Sequence, residues 1–448
     1  MSTAPAQTNR RLFGTDGVRG AVGEFLSAEL ALGLGRAATI QTGSERARVL
    51  VIRDTRESGE MLQAALAAGI ASAGGEVLLA GVLPTPTAPL LIDRYGFDLG
   101  VVISASHNPY YDNGIKFFGS DGYKLTDETE EAIEGHLAGG QARSSSTGRI
   151  GRIAELRGAH EDYLRELHTR FGSLDLTGLD VLLDCANGAT FHVAPEIFRR
   201  LGASVTVLAD LPDGRNINAD CGSTHIEELA ERVRSGGHAV GFAFDGDGDR
   251  VLAADSHGVV VDGDELMALA VLHLKRTGRL AGDGIVVTVM TNYGFHTAME
   301  QAGISVATTN VGDRYVLEEL RSRGWVIGGE QSGHIIDMSF NRSGDGIASA
   351  LLALEALAGR PLSERQAMQK LPQRLVNVRV RDREAIHHAE LVSDAVDAEN
   401  ERLSGRGRVL VRPSGTEPLV RVMVEAPNDE ETEEVCSRLV ELIERELA

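Results

Sequence analysis

Three carboxylates at alternating positions, in Asp245-Gly246-Asp247-Gly248-Asp249-Arg250, form the segment best suited to chemistry. Carboxylates spaced this way can converge on a hard cation, and the glycines between them let the backbone curl closely around it. An EF-hand calcium loop opens similarly but needs Gly at its sixth position and Glu at its twelfth. Arg250 and Ser256 stand there instead. Three carboxylates do not fill an octahedral magnesium shell, so water or phosphate must supply further oxygens. Taken alone, the segment also reads as a solvated acidic turn.

Three more segments carry reactive groups. Ser104-Ala105-Ser106-His107-Asn108-Pro109 offers two hydroxyls after an apolar run, though Ser, Asn and Pro equally make turns and caps. It contains no Gly-x-Ser-x-Gly elbow, so a hydrolase triad has no support. Lys116, ten residues on, can neutralise phosphate or shuttle a proton, or lie on the surface. Gly329-Glu330-Gln331-Ser332-Gly333-His334 gathers a carboxylate, an amide, a hydroxyl and an imidazole in one glycine-flanked turn. Such a set can hydrogen-bond sugar hydroxyls, and His334 can take part in proton transfer; a plain polar turn is the alternative. Arg412-Pro413-Ser414-Gly415-Thr416-Glu417-Pro418, with Arg421, combines hydroxyls, backbone N–H groups around a glycine, and guanidinium forks. That is a phosphate cradle without the Gly-Lys-Ser/Thr ending of a Walker A loop.

The elements that must hold these loops follow an α/β pattern. Short apolar runs alternate with helical stretches, as in parallel βα units. Arg48–Arg53, Glu76–Val82 and Leu99–Ser104 read as strands, with a helix over Ser58–Ala73. A second round gives Asp180–Asp184, Ala203–Leu208 and His238–Phe244, and a third gives Gly284–Met290, Ser305–Thr308 and Trp325–Gly328. The tail is α+β: strands Leu375–Val380, Arg408–Arg412 and Leu419–Val424, with helices Arg383–Leu403 and Asp429–Leu447. Gln141–Gly151 is the most linker-like stretch, or a surface loop within the first domain. Three of the reactive loops directly follow a strand, where open α/β sheets place their ligands. One cleft lined by four domains is expected.

Bulk properties agree. A chain of 448 residues implies three or four domains, and 42% hydrophobic content suffices for several cores. Abundant glycine (52 residues) and only 4% aromatics suit tight turns around a small polar ligand better than base stacking. A net charge of −21 disfavours nucleic acid and anionic membranes as partners. Cys185, Cys221 and Cys436 lack metal-ligand spacing and suit a reducing compartment. Met1–Arg11 is polar, without the apolar core of a signal peptide, and no apolar stretch is long enough to span a membrane. A cytoplasmic protein is expected.

Together the four segments resemble the α-D-phosphohexomutase superfamily. The resemblance runs from Phe13-Gly14-Thr15-Asp16-Gly17-Val18-Arg19-Gly20 to the Arg412 loop, with the motifs in the family's order. It implies three α/β domains with mixed sheets and a smaller α+β C-terminal domain around one central cleft, divided as 1–155, 156–255, 256–370 and 371–448. By the same resemblance Ser106 is the phosphoserine. Asp245, Asp247 and Asp249, with phosphorylated Ser106, hold Mg2+. Arg19, Lys116, Arg250 and His334 surround the transferring phosphoryl group. Glu330 and Ser332 contact sugar hydroxyls, and Arg412, Ser414, Gly415, Thr416 and Arg421 hold the distal phosphate.

Tyr111-Asp112-Asn113-Gly114-Ile115-Lys116-Phe117-Phe118 and Gln331 look like the glucosamine branch. The implied reaction interconverts glucosamine 6-phosphate and glucosamine 1-phosphate through glucosamine 1,6-bisphosphate, supplying amino-sugar and cell-wall precursor synthesis. The implied partner is a phosphosugar, and the resemblance allows a homodimer. The nearest rivals are a phosphoglucomutase or phosphomannomutase of the same architecture. A non-catalytic protein using the Asp245 loop alone would leave Ser106, Glu330 and the Arg412 loop without roles. Gly312-Asp313-Arg314 departs from the histidine-bearing loop of related hexose mutases. Asp313 is therefore a candidate partner for the C2 ammonium of glucosamine, directly or with Arg314 positioning the loop. Otherwise Asp313 caps a helix beginning near Tyr315.

Overall fold

The computed structural model describes residues 12–14, 16–138, 150–414 and 417–447. They form two compact units. One comprises the chain up to Thr288 with Thr308–Arg365; the other comprises Val289–Ala307 and the chain from Gln366 onward.

The first sheet contains β1 (Val18–Ala21), β2 (Arg48–Arg53), β3 (Glu76–Val82), β4 (Leu99–Ile103), β5 (Asp112–Gly119) and β6 (Ile153–Glu155), in the order β1-β5-β4-β2-β3-β6. β2 runs parallel to β3 and β4, whereas β5 runs antiparallel to β4 and β1. All of β4 is buried, as expected for a strand covered on both faces. The second sheet contains β7 (Asp180–Asp184), β8 (Ser204–Leu208), β9 (Val240–Phe244), β10 (Val251–Asp255) and β11 (Val260–Val261), in the order β11-β10-β9-β7-β8. The third contains β12 (Gly284–Thr288), β13 (Ser305–Thr309), β14 (Ile327–Gly329) and β15 (Ile335–Asp337), in the order β13-β12-β14-β15.

One arrangement recurs in all three sheets. β4 and β5, β9 and β10, and β14 and β15 are antiparallel neighbours. The Ser106, Asp245 and Glu330 segments are the connections within these three pairs. Each reactive loop is thus pinned by hydrogen-bonded strands on both sides. The returning strands were not legible in the sequence. β5 buries Asn113 and Lys116, which break its apolar run, while β15 has only three residues.

The smaller unit carries an antiparallel sheet of β16 (Gln373–Arg379), β17 (Arg408–Pro413) and β18 (Leu419–Glu425), in the order β16-β18-β17. Its core includes Val378, Val420, Val422, Val424, Val435, Leu439 and Ile443. The helix expected over Arg383–Leu403 is two elements, a 3-10 turn Arg383–His388 and an α-helix Glu390–Arg402. Ala389 breaks them at φ −85° and ψ 81°. Ile386, Ala389 and Val392 all pack on the sheet core. A continuous helix would rotate them progressively off one face. Within this unit, buried Glu425 also accepts from Tyr293 N (2.9 Å) and Arg408 Nε (2.8 Å).

Cys185, Cys221 and Cys436 are buried free thiols. Among the described residues no helix is long and apolar enough to cross a membrane.

Candidate active site

Ser106 lies in the connection between β4 and β5 with φ 53°, a left-handed conformation costing a non-glycine residue on the order of 1–3 kcal/mol. Its Oγ donates to Asp245 Oδ2 at 2.6 Å, joining the Ser106 loop to the acidic loop. Its carbonyl accepts from Arg56 Nη2 and Asn218 Nδ2, each at 2.9 Å. Ser104 is placed differently. It is wholly buried, and its Oγ donates to Asp54 Oδ2 at 2.6 Å while accepting from Ser106 N at 2.9 Å. The acidic loop can approach because Gly246 has no side chain: a Cβ there would meet Ser106 O at 2.6 Å.

Asp245, Asp247 and Asp249 are buried, and each offers an oxygen within 4.8 Å of the others. Burial, with the charges of Asp249 and Asp247, pushes the Asp245 carboxyl well above its usual range. Cations offset this crowding. Lys116 Nζ lies 2.8 Å from Asp247 Oδ2, 3.8 Å from Asp249 Oδ2 and 3.2 Å from Asp16 Oδ2. Burial works against the ammonium, yet Asp16 and Asp247 hold its pKa above the ordinary value. Arg250 Nη1 sits 2.8 Å from His107 Nδ1. Burial and the Arg250 charge lower His107 to about 4, so its neutral ring accepts that hydrogen bond. Arg19 joins the cluster through its ion pair with Asp16.

The donor set fits a small hard cation. It is all oxygen, and among the described residues Asp247 Oδ1 and Asp249 Oδ1 are buried without hydrogen-bond partners.

The third loop is fastened to the second by backbone. Arg250 and His334 form an antiparallel bridge, and Val251 N donates to Gly333 O at 3.1 Å. His334 is buried, with Nδ1 3.6 Å from Asp249 Oδ1 and Nε2 3.7 Å from Asp313 Oδ2. Burial alone would lower its pKa, but Asp249 and then Asp313 raise it to about 9, leaving the ring cationic. Glu330 Oε1 accepts from Gly312 N at 2.9 Å, drawing the Gly312-Asp313-Arg314 turn to the Glu330 loop. Ser332 is exposed.

Asp313 does not cap a helix starting near Tyr315. The helix is Asp313–Arg323, and its N-cap is Gly312 at φ 134°, which provides no capping side chain. The Asp313 carboxylate instead pairs with Lys124, which also holds Asp16. Arg314 does not join this cluster; its guanidinium is taken up by Asp127 and Glu318.

In the smaller unit, Arg412 on β17 and Arg421 on β18 stand directly opposite each other. Burial and the Arg421 charge lower the Arg412 pKa, and among the described residues Arg421 Nε is buried without a hydrogen-bond partner while Arg412 Nη2 reaches only Met290 Sδ. Two such cations at one sheet position repel unless an anion joins them. Ser414 is buried, its N donating to Leu419 O at 2.8 Å. Gly415 and Thr416 lie outside the described residues, as do Thr15 and residues 141–149 of the linker-like stretch.

Asp16 and His107 stand inside the motifs without a role assigned to them, and Asp54, Arg56, Thr85, Lys124 and Asn218 lie outside the motifs. Thr85 Oγ1 donates to Asp247 Oδ2 at 2.6 Å. Asp54 and Arg56 directly follow β2, so the strand-end rule applied to every strand marks them.

Comparison with known proteins is consistent along the whole chain. Family models for phosphoglucomutase/phosphomannomutase match as alpha/beta/alpha domain I at residues 10–144, domain II at 161–258, domain III at 262–375 and the C-terminal domain at 375–442. A phosphoglucosamine mutase of Desulforudis audaxviator is 53% identical over 440 residues, covering 96% of this chain and 97% of its own. One of Mycolicibacterium vanbaalenii is 49% identical over 440 residues, covering 97% and 99%. A phosphoglucomutase/phosphomannomutase family protein of Burkholderia thailandensis shares the fold at TM-score 0.81 and 23% identity, covering 97% of this chain and 98% of that one. An Aspergillus fumigatus N-acetylphosphoglucosamine mutase, solved with GlcNAc-6P and magnesium, aligns at TM-score 0.64 and 18% identity, covering 97% and 96%. Four domain models in order and half-identical relatives over nearly the full length show that this chain belongs to the phosphohexomutase superfamily and, within it, to the phosphoglucosamine mutases.

Proposed function

We propose that the chain interconverts glucosamine 6-phosphate and glucosamine 1-phosphate, with Ser106 as the phosphoryl carrier. The observation that carries this reading is the 2.6 Å contact between Ser106 Oγ and Asp245 Oδ2, inside a buried triad of carboxylates. Ser104, two residues earlier, has its hydroxyl committed to Asp54 and serves less well as carrier. Asp245, Asp247, Asp249 and the phosphoserine would hold Mg2+, the metal in the Aspergillus relative's structure. Bound there, it supplies charge neutralisation for the phosphoryl oxygens.

In the first half-reaction the free hydroxyl of the sugar phosphate attacks phosphorus on phosphorylated Ser106. The serine Oγ–P bond breaks and glucosamine 1,6-bisphosphate forms. The hydroxyl proton leaves to a nearby base, and the serine oxygen recovers a proton. After the bisphosphate turns over, Ser106 Oγ attacks its other phosphorus, releasing the isomeric monophosphate and restoring the phosphoenzyme. Lys116, Arg250 and Arg19 would neutralise the charge in flight, and His334 would exchange protons with the sugar hydroxyl. Glu330 and Ser332 would hold sugar hydroxyls. Arg412, Ser414, Gly415, Thr416 and Arg421 would bind the phosphate that is not reacting.

Ser106→Ala should abolish turnover with the fold retained, and intact mass should show one phosphate on the wild type that this variant lacks. Normal turnover in Ser106→Ala, or phosphate mapped to Ser104, would exclude the assignment. Rates on glucosamine, glucose and mannose 6-phosphates at equal concentration separate this reading from a phosphoglucomutase or phosphomannomutase. The amino sugar should be preferred.

A further inference from the structure

Ser106 keeps a left-handed backbone that its own side chain disfavours, so the surroundings must impose it. We infer that Arg56 is the positioning residue that does so. The inference rests on the reading of Ser106 as the phosphoryl carrier.

Arg56 is wholly buried. Its Nη2 donates to Ser106 O at 2.9 Å and Asn108 O at 2.8 Å. Its Nη1 donates to Asp112 O at 3.1 Å and also to Pro109 O. Its Nε donates to Asp54 Oδ2 at 2.8 Å. A guanidinium has five N–H donors, and these contacts commit all of them. Three go to carbonyls of the loop that carries Ser106, and a fourth to that of Asp112, where β5 begins.

The other side of the Ser106 backbone returns to the same ion pair. Ser106 N donates to Ser104 Oγ (2.9 Å), which donates to Asp54 Oδ2 (2.6 Å). Asp54 Oδ1 in turn accepts from Arg56 N at 2.9 Å. Both the amide and the carbonyl of Ser106 are therefore tied to Asp54 and Arg56, which aims Oγ at Asp245. The segment also grips the second sheet's loops: Thr55 Oγ1 donates to Asn187 O (2.5 Å), and Glu57 N donates to Gly214 O (2.9 Å). Asn218, beyond Gly214, donates to the same two carbonyls as Arg56 Nη2, at 2.9 and 3.1 Å. A buried ion pair contributes little net stability against an apolar replacement, so geometry is the role inferred for this one. Lysine keeps the charge but presents its donors from one atom and cannot span four carbonyls.

The test uses the full chain with Mg2+, glucosamine 6-phosphate and a trace of hexose 1,6-bisphosphate. Arg56→Lys should lower kcat about 10- to 100-fold, because a small misplacement of the reacting oxygen costs that much. KM for glucosamine 6-phosphate should stay within about twofold, since Arg56 is wholly buried with its donors committed within the protein. Single-turnover transfer from phosphorylated enzyme should slow by the same factor as kcat. A kcat within about twofold of wild type overturns the inference. So does a loss that vanishes once rates are normalised to the folded fraction. If Arg56→Lys does not fold, Asp54→Asn carries the test, since it keeps the side-chain shape and loosens Arg56 by removing its charge partner. It should lower kcat several-fold at unchanged KM, and an unchanged kcat overturns the inference. Activity surviving in Ser106→Ala would instead overturn the reading of Ser106, and the two failures are read separately.

Discussion

Lys116 Nζ lies 2.8 Å from Asp247 Oδ2, and both side chains are only 1% exposed. A divalent cation held by the triad would therefore share one carboxylate with the ammonium. On the proposed mechanism, removing the ammonium would leave the triad more negative for the metal and take a positive charge from the transferring phosphoryl group. Lys116→Met should lower kcat at least about 100-fold, the scale of losing a preorganised charge. The same variant should need less Mg2+ for half-maximal activity. Kinetics across a magnesium titration check both signs; a normal kcat, or a higher magnesium requirement, contradicts this account.

The metal itself gives a second expectation. Asp247 Oδ1 and Asp249 Oδ1 are buried without hydrogen-bond partners among the described residues. Exhaustive chelation should stop turnover and magnesium should restore it. Asp247→Asn, which keeps the shape but loses the charge, should raise the half-saturating magnesium by roughly 10- to 100-fold. Full turnover after chelation would remove the metal from the mechanism.

Asp313 supplies a test of substrate choice. Its carboxylate already receives one ammonium, that of Lys124, and faces His334 Nε2 at 3.7 Å. Burial would raise the carboxyl, but Lys124 holds it below the ordinary value and charged. A site that accepts a lysine ammonium has the chemistry to accept the C2 ammonium of glucosamine. Asp313→Asn should cut kcat/KM for glucosamine 6-phosphate about tenfold more than for glucose 6-phosphate, the worth of one charge-assisted hydrogen bond. Equal losses on the two sugars would assign Asp313 to holding Lys124 alone.

Asp345 gives a pH dependence of stability. It is buried, and burial raises its carboxyl to about 6, against hydrogen bonds from Ala348 N and Tyr163 Oη, each at 2.9 Å. The folded carboxyl therefore holds its proton more tightly than the unfolded chain does. Its stabilising contribution is complete below the ordinary carboxylate range and is lost as pH rises through about 6. Asp345 is the N-cap of the helix Gly346–Leu357, a position where asparagine serves nearly as well and does not ionise. Relative to wild type, Asp345→Asn should gain about 1–3 kcal/mol between pH 5 and pH 8. Melting temperatures at the two pH values measure it, and a constant gap would contradict the burial argument.

Much of the chemistry was local and therefore legible. The Asp245, Ser104, Glu330 and Arg412 segments each place several reactive groups within a few consecutive residues, so their order alone marks them. The parallel strands were legible too, because strands covered on both faces must be apolar throughout. Distant pairings were not. Arg56 lies fifty positions from Ser106, and Lys124 lies far along the chain from Asp313. Lone charged residues at such separations look like ordinary surface, since burial and partnership arise only when sheets bring their strand ends together. The distinction between Ser104 and Ser106 belongs to the same class. Two serines two positions apart, identical in type, differ in what faces them: Asp54 beside one, and Asp245 across from the other. Side-chain type and spacing established what chemistry was available, while three-dimensional contacts, which sequence separation does not encode, decided which hydroxyl the acidic loop receives.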